Sequence, residues 1–254
     1  MAGRLEKTNV LGVGVSQCTY SSATEMIASL AKCQQGGMVT ACAVHLIMEC
    51  QSDPLLKQQI NEFDLVSPDG QPVRWALNWL DGAGLSERVY GPDLTLHLCQ
   101  RAERDELRVF LYGSTEKVVQ GMAERLGHQF PRLQIVGTQP SRFRPSTAEE
   151  DHQDVEMIEG SGAHLVFVGL GCPLQERWAH HHRDRLSAVM VCVGAAFDFH
   201  AGTLRQAPPW MQRAGLEWLF RFSAEPKRLW RRYLYHNPRY LNGVVRQWLK
   251  GRLS

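Results

Sequence analysis

With 254 residues, 44% of them apolar and 21% charged, the chain has the length and composition for one large core and reads as neither disordered nor low-complexity. Seven scattered cysteines with no C-x-x-C pair exclude a disulfide framework and a cysteine zinc site, and they suit a reducing cytoplasm. The net charge of +2 is close to neutral, but it is divided unevenly along the chain.

The first residues, MAGRLEKTNV, carry charge and lack the apolar run of an export signal. No stretch approaches the ~20 apolar residues of a membrane-spanning helix. Short apolar runs then alternate with helical patterns. Strands are expected at Asn9–Val15, Met38–Cys42, Leu65–Ser67, Arg108–Tyr112, Gln134–Gly137, His164–Gly169 and Val189–Gly194. Between them, Ser22-Ala-Thr-Glu25 and Ser146-Thr-Ala-Glu149 have the spacing of capping boxes. Pro92, Pro173 and Pro226 stand where first-turn prolines belong. This alternation predicts an α/β fold, a parallel sheet covered by helices on both faces, with ligands beyond the carboxyl ends of the strands. After about Ala207 the pattern changes. Leu216–Phe222, Pro226–His236 and Tyr240–Lys250 read as helices and no strand follows, so a sheet domain over 1–203 and a helical appendage over 204–254 are expected.

Three strand-end loops carry chemistry-bearing residues. In Ser67-Pro68-Asp69-Gly70, Asp69 is either a turn residue or helix cap, or a general base that takes the proton of an attacking hydroxyl. Gly169-Leu-Gly-Cys-Pro-Leu-Gln-Glu176 is either a tight turn or an anion site of exposed amides at a helix start. In Val193-Gly-Ala-Ala-Phe-Asp-Phe-His-Ala-Gly202, Asp198 either anchors the loop or accepts hydrogen bonds from a ribose or base edge. Gly12-Val-Gly14 begins like a dinucleotide fingerprint, but Gln17 stands where the third glycine belongs, which weakens an NAD-type oxidoreductase reading. His180, His181 and His182 are consecutive and point in different directions on a helix, and no D-x-D pair is present to hold a metal against a diphosphate. No required metal and no cofactor are therefore expected. Cys42 at a strand end reads as a buried structural thiol rather than a nucleophile.

The charge asymmetry lies in the tail. Residues 204–254 hold nine Arg and two Lys against Glu217 and Glu225, a net +9, while the rest holds 17 basic and 24 acidic side chains, a net −7. Nine of the 22 aromatics are in this tail, four of them Trp. A solvated surface would not need that much Trp, and no nucleic-acid motif accompanies the basic residues. Docking on an anionic membrane surface fits best, because Trp and Tyr favour the headgroup region and each Arg contributes roughly 1 kcal/mol there.

Taken in order, several segments resemble the WecG/TagA/CpsF glycosyltransferase family. They are Pro68-Asp69-Gly70, Glu87-Arg88-Val89-Tyr90-Gly91, Val109-Phe-Leu-Tyr-Gly113, Val168-Gly-Leu-Gly-Cys-Pro-Leu-Gln-Glu176, Val193-Gly-Ala-Ala-Phe-Asp-Phe199 and Gly215-Leu-Glu-Trp-Leu-Phe-Arg221, followed by Pro226, Arg228, Arg231, Arg232 and Tyr233. The resemblance spans about Asn9 to Tyr240. It implies a Rossmann-like catalytic domain and a C-terminal appendage that docks on the membrane and closes the active site. It further implies inverting, metal-independent transfer from a UDP-sugar donor to a polyprenyl-diphosphate-sugar acceptor, undecaprenyl-linked, in cell-surface polysaccharide synthesis. The enzyme would be cytoplasmic, peripheral on the inner face of the cell membrane.

By position, the resemblance implies Asp69 as general base and Thr40 as an active-site hydroxyl. Arg88 would contact donor or phosphate, Gln175 the sugar, and Arg221, Arg228 and Arg231 the diphosphates. Gly113, Gly169, Gly194 and Asp198 fall in nucleotide-binding stretches. Two departures stand out: Cys42 replaces the usual Asn, and Ser141-Arg142-Phe143 replaces Gly-Tyr-Phe. Both bear on sugar choice, and Arg142 would suit an acidic donor. The competing reading is a non-catalytic nucleotide-binding membrane adaptor derived from this family. Homo-oligomerisation through an apolar appendage face, off the membrane, is left open, and no nucleic-acid partner is expected.

Overall fold

A computed structural model describes residues 5–208, 210–211, 214–224 and 226–253; the side chains of residues 224, 228, 231, 232 and 253 lie outside the description. Six parallel strands form the central sheet: β3 (Gly37–Cys42), β4 (Leu65–Pro68), β5 (Arg108–Gly113), β6 (Gln134–Gln139), β7 (Leu165–Gly169) and β8 (Val189–Cys192). Their order in space is β4-β3-β8-β7-β5-β6. β4, β7 and β8 are buried along nearly their whole length, as strands covered on both faces must be. Side chains alternate between two cores. Val109, Leu111, Leu165, Phe167, Val189 and Val191 face one side, and Phe110, Tyr112, Val166, Val168, Met190 and Cys192 face the other.

Helices fill both faces. The first core is completed by α1 (Tyr20–Cys33), α5 (Gly91–Asp105), α6 (Glu116–Gln129) and α9 (Ala196–Ala201). The second takes α2 (Val44–Ser52), α3 (Pro54–Asn61), α4 (Gln71–Asp81), α7 (Ala148–Gly160) and α8 (Leu174–His181). The fold is thus the covered parallel sheet that the strand–helix alternation implies, in the Rossmann-like α/β arrangement that the family resemblance implies.

The local details differ in instructive ways. The expected strand Asn9–Val15 is an antiparallel hairpin, β1 (Lys7–Val10) and β2 (Val13–Ser16), turning at Leu11 and Gly12 with φ of 53° and 86°. Gly12 and Gly14 therefore sit in a hairpin turn and strand, not between a parallel strand and a helix, which removes the dinucleotide reading. Ser16 Oγ accepts the Val66 amide at 3.2 Å, so the hairpin covers the β4 edge. The first capping box is Thr19 with Ser22, so Ser22 serves three places inside the helix rather than as its cap; the second is Thr147 with Glu150. Pro173 is the N-cap of α8, one place before the first turn.

Beyond the sheet domain, α10 (Glu217–Ala224) and α11 (Pro226–Trp230) lead into a π-helical turn, Arg231–His236, and then α12 (Asn237–Leu253). This last helix is seated in the second core. Tyr240 is 1% exposed, and its hydroxyl donates to the Pro72 carbonyl at 3.2 Å. Gln247 bridges the hairpin, accepting the Leu11 amide at 2.9 Å and donating to the Asn9 carbonyl at 2.6 Å. Among the described residues, no helix is long and apolar enough to cross a membrane.

His164 ties the starts of β5 and β7 together, its Nδ1 accepting the Arg108 amide at 2.9 Å. Burial, then the Arg108 charge, lowers its pKa below the usual 6.5. The unfolded chain therefore takes up this proton first, so stability is full above pH 6.5 and declines as pH falls through the folded value, by at most about 1.4 kcal/mol per pH unit. In His164→Asn the amide oxygen can replace Nδ1 as acceptor without titrating. Urea midpoints measured from pH 7.5 to 5 are expected to fall less steeply in that variant than in the native protein.

Candidate functional site

The carboxyl ends of β3, β4, β7 and β8 open onto one cavity of about 860 Å³, within the range of small-molecule sites. Three helices begin there without a side-chain cap: α2 after Ala43, α4 after Gly70 and α8 after Pro173. Ala43 and Cys172 line the cavity, and Gly70 an adjoining crevice. Uncapped amides with the positive end of the helix dipole, about half an elementary charge each, make a cradle for a polyanion.

Asp69 faces both spaces. Its Oδ1 accepts the Gly91 amide at 2.8 Å, and its own amide donates to the Cys42 carbonyl at 3.1 Å, so β3 and α5 fix the carboxylate at the sheet edge. Beside it, the appendage closes a crevice of about 100 Å³ lined by Arg88, Tyr90, Glu217, Trp218, Arg221 and Tyr233 among others. Arg88 donates to Glu217 Oε2, and its guanidinium lies 4.1 Å from the centre of the Tyr90 ring. Burial alone would lower the Arg88 pKa, but the Glu217 and Asp69 carboxylates outweigh it and hold it above its ordinary value. Burial first, then the same two carboxylates, pushes the Tyr90 phenol well up. Gly215, at φ 73°, opens α10 where a Cβ would stand 3.4 Å from the Trp75 ring, which lets the appendage lie close on α4.

Behind the cavity wall is a buried polar chain. Thr40 Oγ1 donates to Glu176 Oε1 at 2.8 Å, and Gln175 Nε2 donates to the same oxygen at 2.9 Å; all three residues are 4% exposed or less. Gln175 Oε1 has no hydrogen-bond partner among the described residues, and Gln175 lines the cavity, so its carbonyl is an acceptor for a donor from a ligand. Thr40 and Cys42 are fully buried and line neither space. Burial pushes the Cys42 thiol well above its usual value, which suits a structural thiol.

Gly169, Gly194 and Asp198 line the cavity, whereas Gly113 lies behind Gly169. A Cβ on Gly113, at φ 118°, would meet the Gly169 carbonyl carbon at 2.7 Å, so its glycine allows the β5 and β7 ends to close together. Asp198 Oδ1 accepts the Thr203 hydroxyl at 3.2 Å. Arg221 lines both the cavity and the crevice, 5.7 Å from the Phe199 ring centre. Arg228 and Arg231 lie outside the residues whose side chains are described.

Arg142 does not line the cavity, although its neighbour Phe143 does. The Arg142 guanidinium forms a bidentate pair with Asp154, at 2.6 and 2.9 Å, and Tyr112 also donates to Asp154 at 2.8 Å. Asp154 is 2% exposed. Arg142→Ala would strip this buried carboxylate of its counter-ion, a loss of about 3–5 kcal/mol. A melting-temperature drop of roughly 6–20 °C is expected, with acidic and neutral donor rates falling alike. A selective fall with acidic donors would instead return Arg142 to the sugar site.

Among the described residues, two side-chain groups have metal-ligating composition. Asp151, His181 and His182 meet at the end of α8, where His182 is the C-cap, so two of the consecutive histidines do converge, while His180 turns to Glu62. Asp151 is already paired with Arg185. The other group is His45, Glu49 and His236 on the cavity rim. In the C-terminal segment Trp210, Trp218, Leu219, Trp230, Leu234 and Tyr235 are exposed, Trp218 at the crevice and Tyr235 at the cavity.

Sequence reasoning named Asp69, Arg88, Gln175, Arg221, Gly169, Gly194 and Asp198, and these gather at one place. It passed over Glu176 and Glu217. Glu217 carried a signal, as one of only two acids in a strongly basic tail.

Comparison with known proteins gives the same picture. The family described as "Glycosyl transferase WecG/TagA/CpsF family" matches residues 8–254. The chain is 30% identical over 213 residues to the N-acetylglucosaminyldiphosphoundecaprenol N-acetyl-beta-D-mannosaminyltransferase of Bacillus spizizenii, covering 84% of this chain and 80% of that protein. It is 30% identical over 189 residues to the protein of the same name from Bacillus subtilis, covering 74% and 71%.

Proposed function

The chain belongs to the WecG/TagA/CpsF family of glycosyltransferases, and from that premise we propose that it transfers an N-acetylhexosamine from a UDP-sugar to a sugar on undecaprenyl diphosphate, with inversion and without a metal at the reacting centre. The acceptor class follows the names of its Bacillus relatives, which act on N-acetylglucosaminyldiphosphoundecaprenol. The observation that carries this reading is Asp69, a carboxylate fixed by the Gly91 amide at the meeting of a polyanion cradle and an arginine-lined crevice.

The acceptor hydroxyl attacks the donor's anomeric carbon as its proton passes to Asp69. The bond from that carbon to the UDP oxygen breaks on the opposite face, and UDP leaves as an anion. Charge developing on the diphosphate is met by the amides at the starts of α2 and α8 and by Arg221. Gln175 Oε1 accepts from a sugar hydroxyl or amide, and Thr40 with Glu176 holds Gln175 in place. The exposed tryptophans of the appendage and its basic residues rest on the anionic inner surface of the cell membrane, where the lipid acceptor lies.

A panel of UDP-sugars, offered with a short-chain prenyl-diphosphate N-acetylglucosamine in detergent and EDTA, tests this directly. Acceptor-dependent UDP release by the native protein is expected. Release seen only when EDTA is omitted, and restored by Mg²⁺ or Mn²⁺, would remove the metal-free mechanism. No release with any donor, natural lipid extract included, would favour the non-catalytic adaptor.

A further inference from the structure

The appendage meets the sheet domain at a second point on the cavity rim, where His45 lines both the cavity and the crevice that also holds Asp69. His45 lies in the first turn of α2 and Glu49 one turn later, so both project from the same helix face. His236 closes the π-helical turn of the appendage and faces them, its ring 5.6 Å from that of His45 at 72°. Glu49 stands 3.5 Å from His45 Nδ1, and the two side chains are 32% and 21% exposed. One ligand atom from each of the three residues falls within 4.8 Å of the others. π-Helical turns are rare and concentrate at functional sites; here the turn is what brings an imidazole from the tail to α2.

We propose that His45, Glu49 and His236 form a site for a divalent transition metal of the zinc class, and that this metal clips the appendage to the sheet domain. Two imidazoles and one carboxylate suit Zn²⁺, Co²⁺ or Ni²⁺ and not the all-oxygen shells that Mg²⁺ and Ca²⁺ prefer. Bonds of about 2.0–2.1 Å around a tetrahedral ion put ligands about 3.4 Å apart. His45 Nδ1 and Glu49 Oε1 are already at 3.5 Å, and the widest separation in the group, within 4.8 Å, has to close by about 1.4 Å on binding. Three protein ligands leave a fourth position for water, and all three residues line the open cavity, which gives the ion an entry path. In the Asp151 group, Arg185 pairs with the carboxylate and His182 Nδ1 is 2.7 Å from the Trp178 carbonyl. No chemical step passes through the metal, so its binding is measured apart from sugar transfer.

Untagged full-length protein titrated with Zn²⁺ against a chromophoric chelator should show one tight site, with Kd of about 1 µM or below. Zn²⁺ at a hundredfold excess over Kd should raise the melting temperature by about 5 °C or more. His45→Ala and His236→Ala should each weaken binding at least about a hundredfold and abolish that rise; Glu49→Gln should weaken it about tenfold. His45→Gln and His236→Gln, read by the same criteria, serve if the alanine variants melt early without metal. His181→Ala should bind as the native protein does. Native-like affinity in either the His45 or the His236 variants, loss in His181→Ala, or no native binding below about 100 µM Zn²⁺ would each overturn the site.

Discussion

Asp69→Asn is expected to lower kcat for sugar transfer by about 10²–10⁴, the usual contribution of a positioned general base. The variant should fold as the native protein does. Asn Oδ1 can still accept the Gly91 amide, and the backbone bond from residue 69 to the Cys42 carbonyl does not depend on the side chain. UDP-sugar affinity should change little, because the proposed diphosphate cradle consists of backbone amides at the starts of α2, α4 and α8 and not of the Asp69 side chain. Binding by calorimetry and acceptor-dependent UDP release, measured on the same preparation, separate the two. A variant that binds donor and transfers at the native rate would refute the base assignment; one that loses both would mean that Asp69 organises the donor site instead.

The parts of this molecule that local pattern can specify were legible in its sequence. Val189–Cys192 and Leu165–Gly169 are β-branched and aliphatic runs too short for helices, and both are buried central strands. The carboxyl-edge rule then pointed to the loops at Asp69, Gly169 and Asp198, which the fold brings to one cavity. What local pattern missed depends on distant partners. The turn at Leu11 puts a leucine at positive φ, a conformation disfavoured for any side chain. It is held by Gln247 across 236 residues and by packing against Gly243, neither of which a window around Leu11 contains. Arg142 reads as an available cation until Asp154, in the next helix, is seen to take both its terminal nitrogens while Nε faces Glu150 at 3.6 Å. Glu217 looks like a stray acid in a basic tail, because its partner Arg88 is 129 positions away.

That last pair carries the second large effect. Arg88 and Glu217 are 12% and 10% exposed at their side chains and join the sheet domain to the appendage beside Asp69. Removing one partner leaves the other buried and charged, at a cost of about 3–5 kcal/mol. Arg88→Met and Glu217→Leu should therefore each, alone, lower the melting temperature and loosen the appendage from Tyr90. Both should also slow transfer, so neither single variant can tell a structural pin from a chemical participant. The pair Arg88→Met with Glu217→Leu can. Two apolar side chains of similar bulk need no counter-ion, and the combined variant should regain most of the lost stability, a favourable coupling of about 2–3 kcal/mol in a double-mutant cycle. Transfer should nevertheless stay about 10²–10³ below native, the loss expected of Arg88 in the proposed role of meeting the charge that develops on the phosphate. Native-rate transfer by the re-stabilised double variant would assign Arg88 to closure alone and leave Arg221 as the cation described at both the cavity and the crevice.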